Sequence, residues 1–149
     1  MEPAPGRGRI TRLPGDVAVV DDTYNSNPEA LASVLGTLAA SAPAGRRVLV
    51  MGDMLELGAQ AAAFHRAAGE RAAASGVALL VAVGPLSRSA AETARKAGVE
   101  VHIADDAPAA AKLVPELVRE GDLVVIKGSR GIRLEHVVEA LLTRTGTGA

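Results

Sequence analysis

The chain has 149 residues, 48% apolar but only 1% aromatic, with a net charge of −1 and no cysteine. That length supports one domain over residues 1–149, with an aliphatic core. The charge balance gives no pull toward nucleic acid or an anionic membrane. The two aromatics argue against a base-stacking platform, and the lack of cysteine removes disulfides, thiolate metal sites and thiol nucleophiles.

Apolar runs alternate with helical stretches along the chain. Ile10–Leu13 and Val17–Val20 read as a hairpin joined by Pro14-Gly15-Asp16. A helix is predicted from Pro28 to Ala40, with Asn27 as N-cap and Pro28 at the first helical position. Strands then fall at Val48–Met51, Val77–Val83, Val99–Ile103 and Leu123–Ile126. The helices between and after them are Ala61–Ser75, Ser87–Ala97, Ala107–Arg119 and Gly131–Leu142. Residues 1–8 and Thr143–Ala149 read as frayed ends.

Five β-α units predict an α/β fold: a Rossmann-like three-layer sandwich with a mostly parallel sheet of about six strands and one antiparallel hairpin strand. Helices covering both faces explain strands that are continuous apolar runs rather than alternating ones. The longest such run, Val77–Val83, is far too short to cross a bilayer, and the first residues carry no signal-peptide pattern. The expectation is a cytoplasmic protein without membrane insertion or nucleic-acid binding.

In a parallel sheet all strands end on one rim, where open α/β sheets bind ligands. The residues expected there are Asp21–Asn27, Gly52-Asp53, Gly84, Asp105-Asp106 and Lys127-Gly128-Ser129-Arg130. Asp21-Asp22-Thr23-Tyr24-Asn25-Ser26-Asn27-Pro28 holds more polar groups than a structural turn needs. Lys127 and Arg130 offer cations, and Ser129 suits an N-cap, so the rim fits a phosphorylated or carboxylate ligand.

Plainer roles compete with these. Asp22 or Asn27 could simply cap the helix at Pro28, and Asp53 and Asp105 read better as caps than as catalysts. Lys127 could be a solvated surface lysine. His65, His102 and His136 have no metal-ligand spacing and read as structural. Arg119-Glu120-Gly121-Asp122 reads as a solvated turn. No G-x-x-x-x-G-K-[ST] loop is present, so this chain lacks a P-loop with which to hold a triphosphate.

The runs Asp21–Pro28, Val50–Gly58, His65 with Gly69, Gly121-Asp122 and Lys127-Gly128-Ser129-Arg130-Gly131 resemble, in this order, the C-terminal domain of the Mur ligases. The resemblance covers about Gly6 to Leu142. It is strongest to the branch that joins D-Ala-D-Ala to a UDP-MurNAc-tripeptide, an ATP-dependent acid–amino-acid ligase of peptidoglycan synthesis. It implies a third domain that closes over a central ATPase domain, with a UDP-sugar domain and the central domain outside this chain. Mg²⁺ would be held by the central domain.

The resemblance also implies roles. Arg7 would reach the ATP phosphates, Asp22 the ribose region, and Tyr24, Asn25 and Asn27 would lie beside the nucleotide. Lys127, Ser129 and Arg130 would face the incoming dipeptide, with Lys127 and Arg130 offsetting charge on the acyl phosphate. The isolated domain is expected to be inactive.

Other readings remain. A phosphoacceptor receiver domain would share the acid pair, Asp53 and Lys127, but it places two strands between the pair and the acceptor, and here Asp53 follows the very next strand. A stand-alone nucleotide- or sugar-binding module, or the matching domain of a folylpolyglutamate or cyanophycin ligase, would share the fold.

Overall fold

The computed structural model describes residues 9–23, 26–128 and 131–147. Its elements are β1 (Arg9–Leu13), β2 (Val17–Asp22), α1 (Pro28–Ala40), β3 (Arg47–Gly52), α2 (Ala61–Ala74), β4 (Val77–Val83), α3 (Arg88–Lys96), β5 (Glu100–Ala104), α4 (Ala107–Leu117), β6 (Leu123–Lys127) and α5 (Glu135–Thr147). A short 3-10 turn, Gly58–Gln60, leads into α2. No helix among the described residues is long and apolar enough to cross a membrane.

The sheet order is β1-β2-β6-β3-β4-β5. Among the described residues β1–β2 is antiparallel, and β2–β6, β6–β3, β3–β4 and β4–β5 are parallel. The expected class, hairpin and five β-α units are all present.

Two apolar layers hold the sheet. On one face Val17, Val19, Val48, Val50, Leu79, Val81, Val124 and Ile126 pack with Ala107, Ala110 and Val114 of α4 and with Val137, Val138 and Leu141 of α5. On the other, Leu49, Met51, Leu80 and Val125 pack with Leu31, Leu35 and Leu38 of α1, Ala68 and Ala72 of α2, and Ala90 and Ala94 of α3. Alternate residues of each strand therefore feed opposite layers, and both sets are apolar.

The alanines of α2 and α3 have a packing reason. Gly69 lets α2 approach α3 so closely that an added Cβ would stand 2.1 Å from the Ala90 carbonyl oxygen and from Thr93 Oγ1. Thr93 Oγ1 donates to the Arg66 carbonyl at 2.7 Å across this contact.

Several boundaries and roles differ from the sequence expectation. α5 begins at Glu135 rather than Gly131, because a turn through Gly131–Leu134 precedes it, and it continues to Thr147 where fraying was expected. α4 ends at Leu117, two residues after Pro115, rather than at Arg119. Its N-cap is Asp106, whose carboxylate accepts from the Ala109 N–H at 2.9 Å. Asp105, expected to cap, is instead exposed and pairs with Arg88 at 2.9 Å.

Asp122 is not part of a solvated turn. It is 1% exposed and accepts from the Arg46 side chain at 2.8 and 3.1 Å, from the Arg46 N–H at 3.2 Å and from the Arg119 N–H at 2.8 Å. Burial pushes its carboxyl up. The Arg46 side chain and the two backbone N–H groups outweigh that and hold it below the usual value. The pair thus joins the segment leading into β6 to the segment leading into β3.

Candidate functional site

The topology singles out one stretch of the rim. The chain runs from β2 to β3, β4 and β5 with α1, α2 and α3 on one face, then returns through α4 on the other face to place β6 between β2 and β3. After β2 the chain leaves toward one face; after β6 it leaves toward the other. A crevice opens where connections part in this way.

Asp22 and Lys127 end the two strands at that crevice and pair in register. The strand ladder continues past them, with the Gly128 N–H donating to the Asp22 carbonyl at 3.1 Å. Lys127 Nζ lies 3.1 Å from Asp22 Oδ2, and the side chains are 2% and 24% exposed respectively. Lys127 is therefore neither the solvated surface lysine nor the rim-presented cation that the sequence suggested. Strand alternation puts it on the face of Val125, Met51 and α1, where it is buried.

The segment after β2 is tied down at both ends. Thr23, 4% exposed, donates its hydroxyl to Asp21 Oδ1 at 2.9 Å. Asn27 caps α1 as expected, accepting from the Ala30 N–H at 2.8 Å, with Pro28 at the helix start. Asp22 does not cap that helix among the described bonds, so the capping role falls to Asn27 and leaves the Asp22 carboxylate at the rim. Arg7, Tyr24, Asn25, Ser129 and Arg130 lie outside the described residues.

Asp53, next along the rim, is also internal. It is 3% exposed and accepts from the N–H groups of Leu86 and Ser87 at 3.2 and 2.7 Å, and from the Ser87 hydroxyl at 2.8 Å. Ser87 precedes α3 and caps it with no side chain of its own. Asp53 thus holds the turn that leads from β4 into α3, rather than capping a helix of its own. Gly84 makes room for it: a Cβ there would fall 2.6 Å from the carboxylate.

His65, read as structural, is fully buried and holds the loop after β3. Its Nε2 accepts from the Met54 N–H at 2.9 Å, and its Nδ1 lies 2.7 Å from the Ala61 carbonyl oxygen. A backbone N–H on one side and a carbonyl on the other assign the neutral Nδ1–H tautomer. No local pattern reports this bond, which links residues 11 positions apart in the chain.

Two non-glycine residues with left-handed backbone sit in the rim loops, Glu56 at φ 62° and Arg133 at φ 60°. Each such conformation costs about 1–2 kcal/mol for an ordinary side chain. The loops that carry them touch, since a Cβ on Gly131 would lie 2.7 Å from Leu55 Cδ1. No cluster of three or more histidine, aspartate or glutamate residues fit for a metal occurs among the described residues.

Comparisons with known proteins agree with this architecture. A family model described as Mur ligase, glutamate ligase domain matches residues 6–130. UDP-N-acetylmuramoyl-tripeptide--D-alanyl-D-alanine ligase of Escherichia coli (strain K12) is 38% identical over 143 residues, covering 95% of this chain and 30% of that protein. The ligase of the same name from Mycobacterium leprae (strain TN) is 35% identical over 162 residues, covering 96% of this chain and 30% of that protein. Among solved structures, MurF ligase from Thermotoga maritima in complex with ADP superposes with a TM-score of 0.78 at 28% identity, covering all of this chain and 33% of that one. MurF from Acinetobacter baumannii gives a TM-score of 0.84 at 25% identity, over 95% of this chain and 31% of that one. This chain thus spans about a third of the length of these relatives. The family model covers most of the sequence and the same six-stranded sheet is shared, so the chain belongs to the Mur ligase, glutamate ligase domain family.

Proposed function

We propose that this chain is the C-terminal domain of an ATP-dependent ligase that joins D-Ala-D-Ala to UDP-MurNAc-tripeptide in cytoplasmic peptidoglycan synthesis, on which bacterial cell shape and division depend. ATP activates the stem carboxylate as an acyl phosphate, and the dipeptide amine displaces phosphate. The domain closes over the central ATPase domain of the same polypeptide, which supplies the P-loop and the Mg²⁺ ligands. The observation that carries this reading is the Asp22–Lys127 pair at the crevice where β2 and β6 end. Its partly exposed carboxylate is suited to accept hydrogen bonds from a ribose diol. The names of the relatives and the ADP in the Thermotoga structure support the same reading.

In this reading Asp22, with Arg7, Tyr24, Asn25 and Asn27, faces the nucleotide. Ser129 and Arg130, in the segment after β6, face the dipeptide, where a guanidinium can bind a carboxylate and offset charge on the acyl phosphate. Lys127, expected beside them, is buried at 2% exposure.

The test is genetic. The corresponding segment of the E. coli ligase is replaced by this chain and the chimera is introduced into cells depleted of their own enzyme. Restored growth is expected. Soluble, folded chimera with no rescue would overturn the assignment to this ligase and favour a sister ligase or a stand-alone module.

A further inference from the structure

We infer that Lys127 is a positioning residue for the nucleotide-side carboxylate, Asp22, and does not itself meet the dipeptide. The inference rests on the ligase reading above and redirects one residue within it. A cation that recruits a carboxylate ligand must present its ammonium to solvent in the open site. Lys127 presents almost none, at 2% exposure, whereas its partner Asp22 is 24% exposed. A ligand entering the crevice therefore meets the carboxylate first.

The geometry fixes the pair tightly. Asp22 and Lys127 are register partners on adjacent parallel strands, so the sheet sets both Cα positions. The Gly128 N–H to Asp22 carbonyl bond extends the ladder one step beyond them. The Lys127 stem runs on the face that holds Met51, Val125 and α1. The ammonium then meets Asp22 Oδ2 at 3.1 Å from within the protein. One carboxylate oxygen is committed inward and the rotation of the group is restricted. The 24% exposure of the Asp22 side chain leaves room for a ribose hydroxyl to approach it. Turning Lys127 outward would break a buried ion pair, and removing one partner of such a pair is costly.

The experiment is a double-mutant cycle in the intact ligase, reading KM for ATP and for D-Ala-D-Ala separately, with melting temperature as a control for folding. Lys127→Met is expected to raise KM for ATP about 10-fold or more while leaving KM for D-Ala-D-Ala within about two-fold, the first being the effect of one charge-assisted contact. Lys127→Arg, which keeps the charge, should recover part of the ATP effect. Asp22→Asn should raise KM for ATP similarly. The Asp22→Asn/Lys127→Met double variant removes both charges together and so guards against an orphaned buried ion. It should bind both substrates as Asp22→Asn does.

A rise in KM for D-Ala-D-Ala on adding Lys127→Met to the Asp22→Asn background would overturn the inference and return Lys127 to the dipeptide. So would an unchanged KM for ATP in Lys127→Met when Asp22→Asn raises it. An ATP KM indifferent to Asp22→Asn would instead overturn the nucleotide-facing reading of this rim, and the role of Lys127 with it.

Discussion

Asp22 and Lys127 end neighbouring parallel strands, and their carboxylate and ammonium meet 3.1 Å apart with the lysine inside and the aspartate at the surface. This inverts the arrangement expected of a ligand-binding lysine. It also makes the pair part of the fold. Lys127→Ala should therefore lower stability by about 3 kcal/mol, from the lost stem packing and the broken pair. A surface lysine would cost within about 0.5 kcal/mol. Urea denaturation of the isolated chain distinguishes the two outcomes.

Asp122 gives a pH-dependent contribution with a definite sign. Its carboxyl is held below the ordinary value despite burial, because Arg46 and two backbone N–H groups favour the charged form. A depressed carboxylate stabilises the fold above its unfolded value, about 3.9, and that stability is lost as pH falls through the folded value. Asp122→Asn should cost about 3 kcal/mol at pH 7, and the difference from the native chain should shrink as acid approaches pH 3. Urea midpoints across this range test it, and a constant difference would contradict the sign.

His65 pins the loop after β3 through the Met54 N–H. His65→Phe keeps an aromatic ring, somewhat larger, but removes both ring nitrogens, the acceptor for Met54 and the partner of the Ala61 carbonyl. It should destabilise the chain by about 1–3 kcal/mol, the cost of a buried donor left unsatisfied. Hydrogen exchange at the Met54 amide should speed up by more than that at the centre of β3. Equal acceleration at both would mean a global loss rather than a released loop.

Much of this was readable from the sequence, and the rest failed for identifiable reasons. The strands stood out because both faces of the sheet are covered, so Val48–Met51 and Val77–Val83 are unbroken apolar runs. Asn27-Pro28 marked the start of α1 through local chemistry alone. The order of strands was not legible, since nothing local tells β6 to insert between β2 and β3. For the same reason Lys127 could be placed at a strand end but not on a face; only the pairing with Asp22 and the layer of α1 decide that. Asp53 bonds Leu86, 33 positions away, and Asp122 bonds Arg46, 76 positions away. No short-range pattern reports such contacts. Asp105 and Asp106 are adjacent, and which of them caps α4 depends on where the backbone turns after β5.

The isolated chain should fold but hold nucleotide poorly. It contributes one side of the proposed ATP site and has no P-loop, so few contacts offset the cost of association. A dissociation constant for ATP of about 1 mM or weaker is expected by NMR titration. Micromolar binding would favour the stand-alone nucleotide-binding module instead.

The central claim is tested most directly by product analysis. The chimera in which this chain replaces the corresponding segment of the E. coli ligase is purified and given ATP, UDP-MurNAc-tripeptide and D-Ala-D-Ala, and the products are read by mass spectrometry. The account predicts UDP-MurNAc-pentapeptide, with ADP released only when both other substrates are present. A folded chimera that forms no pentapeptide, or that joins a single amino acid in preference to the dipeptide, would contradict it.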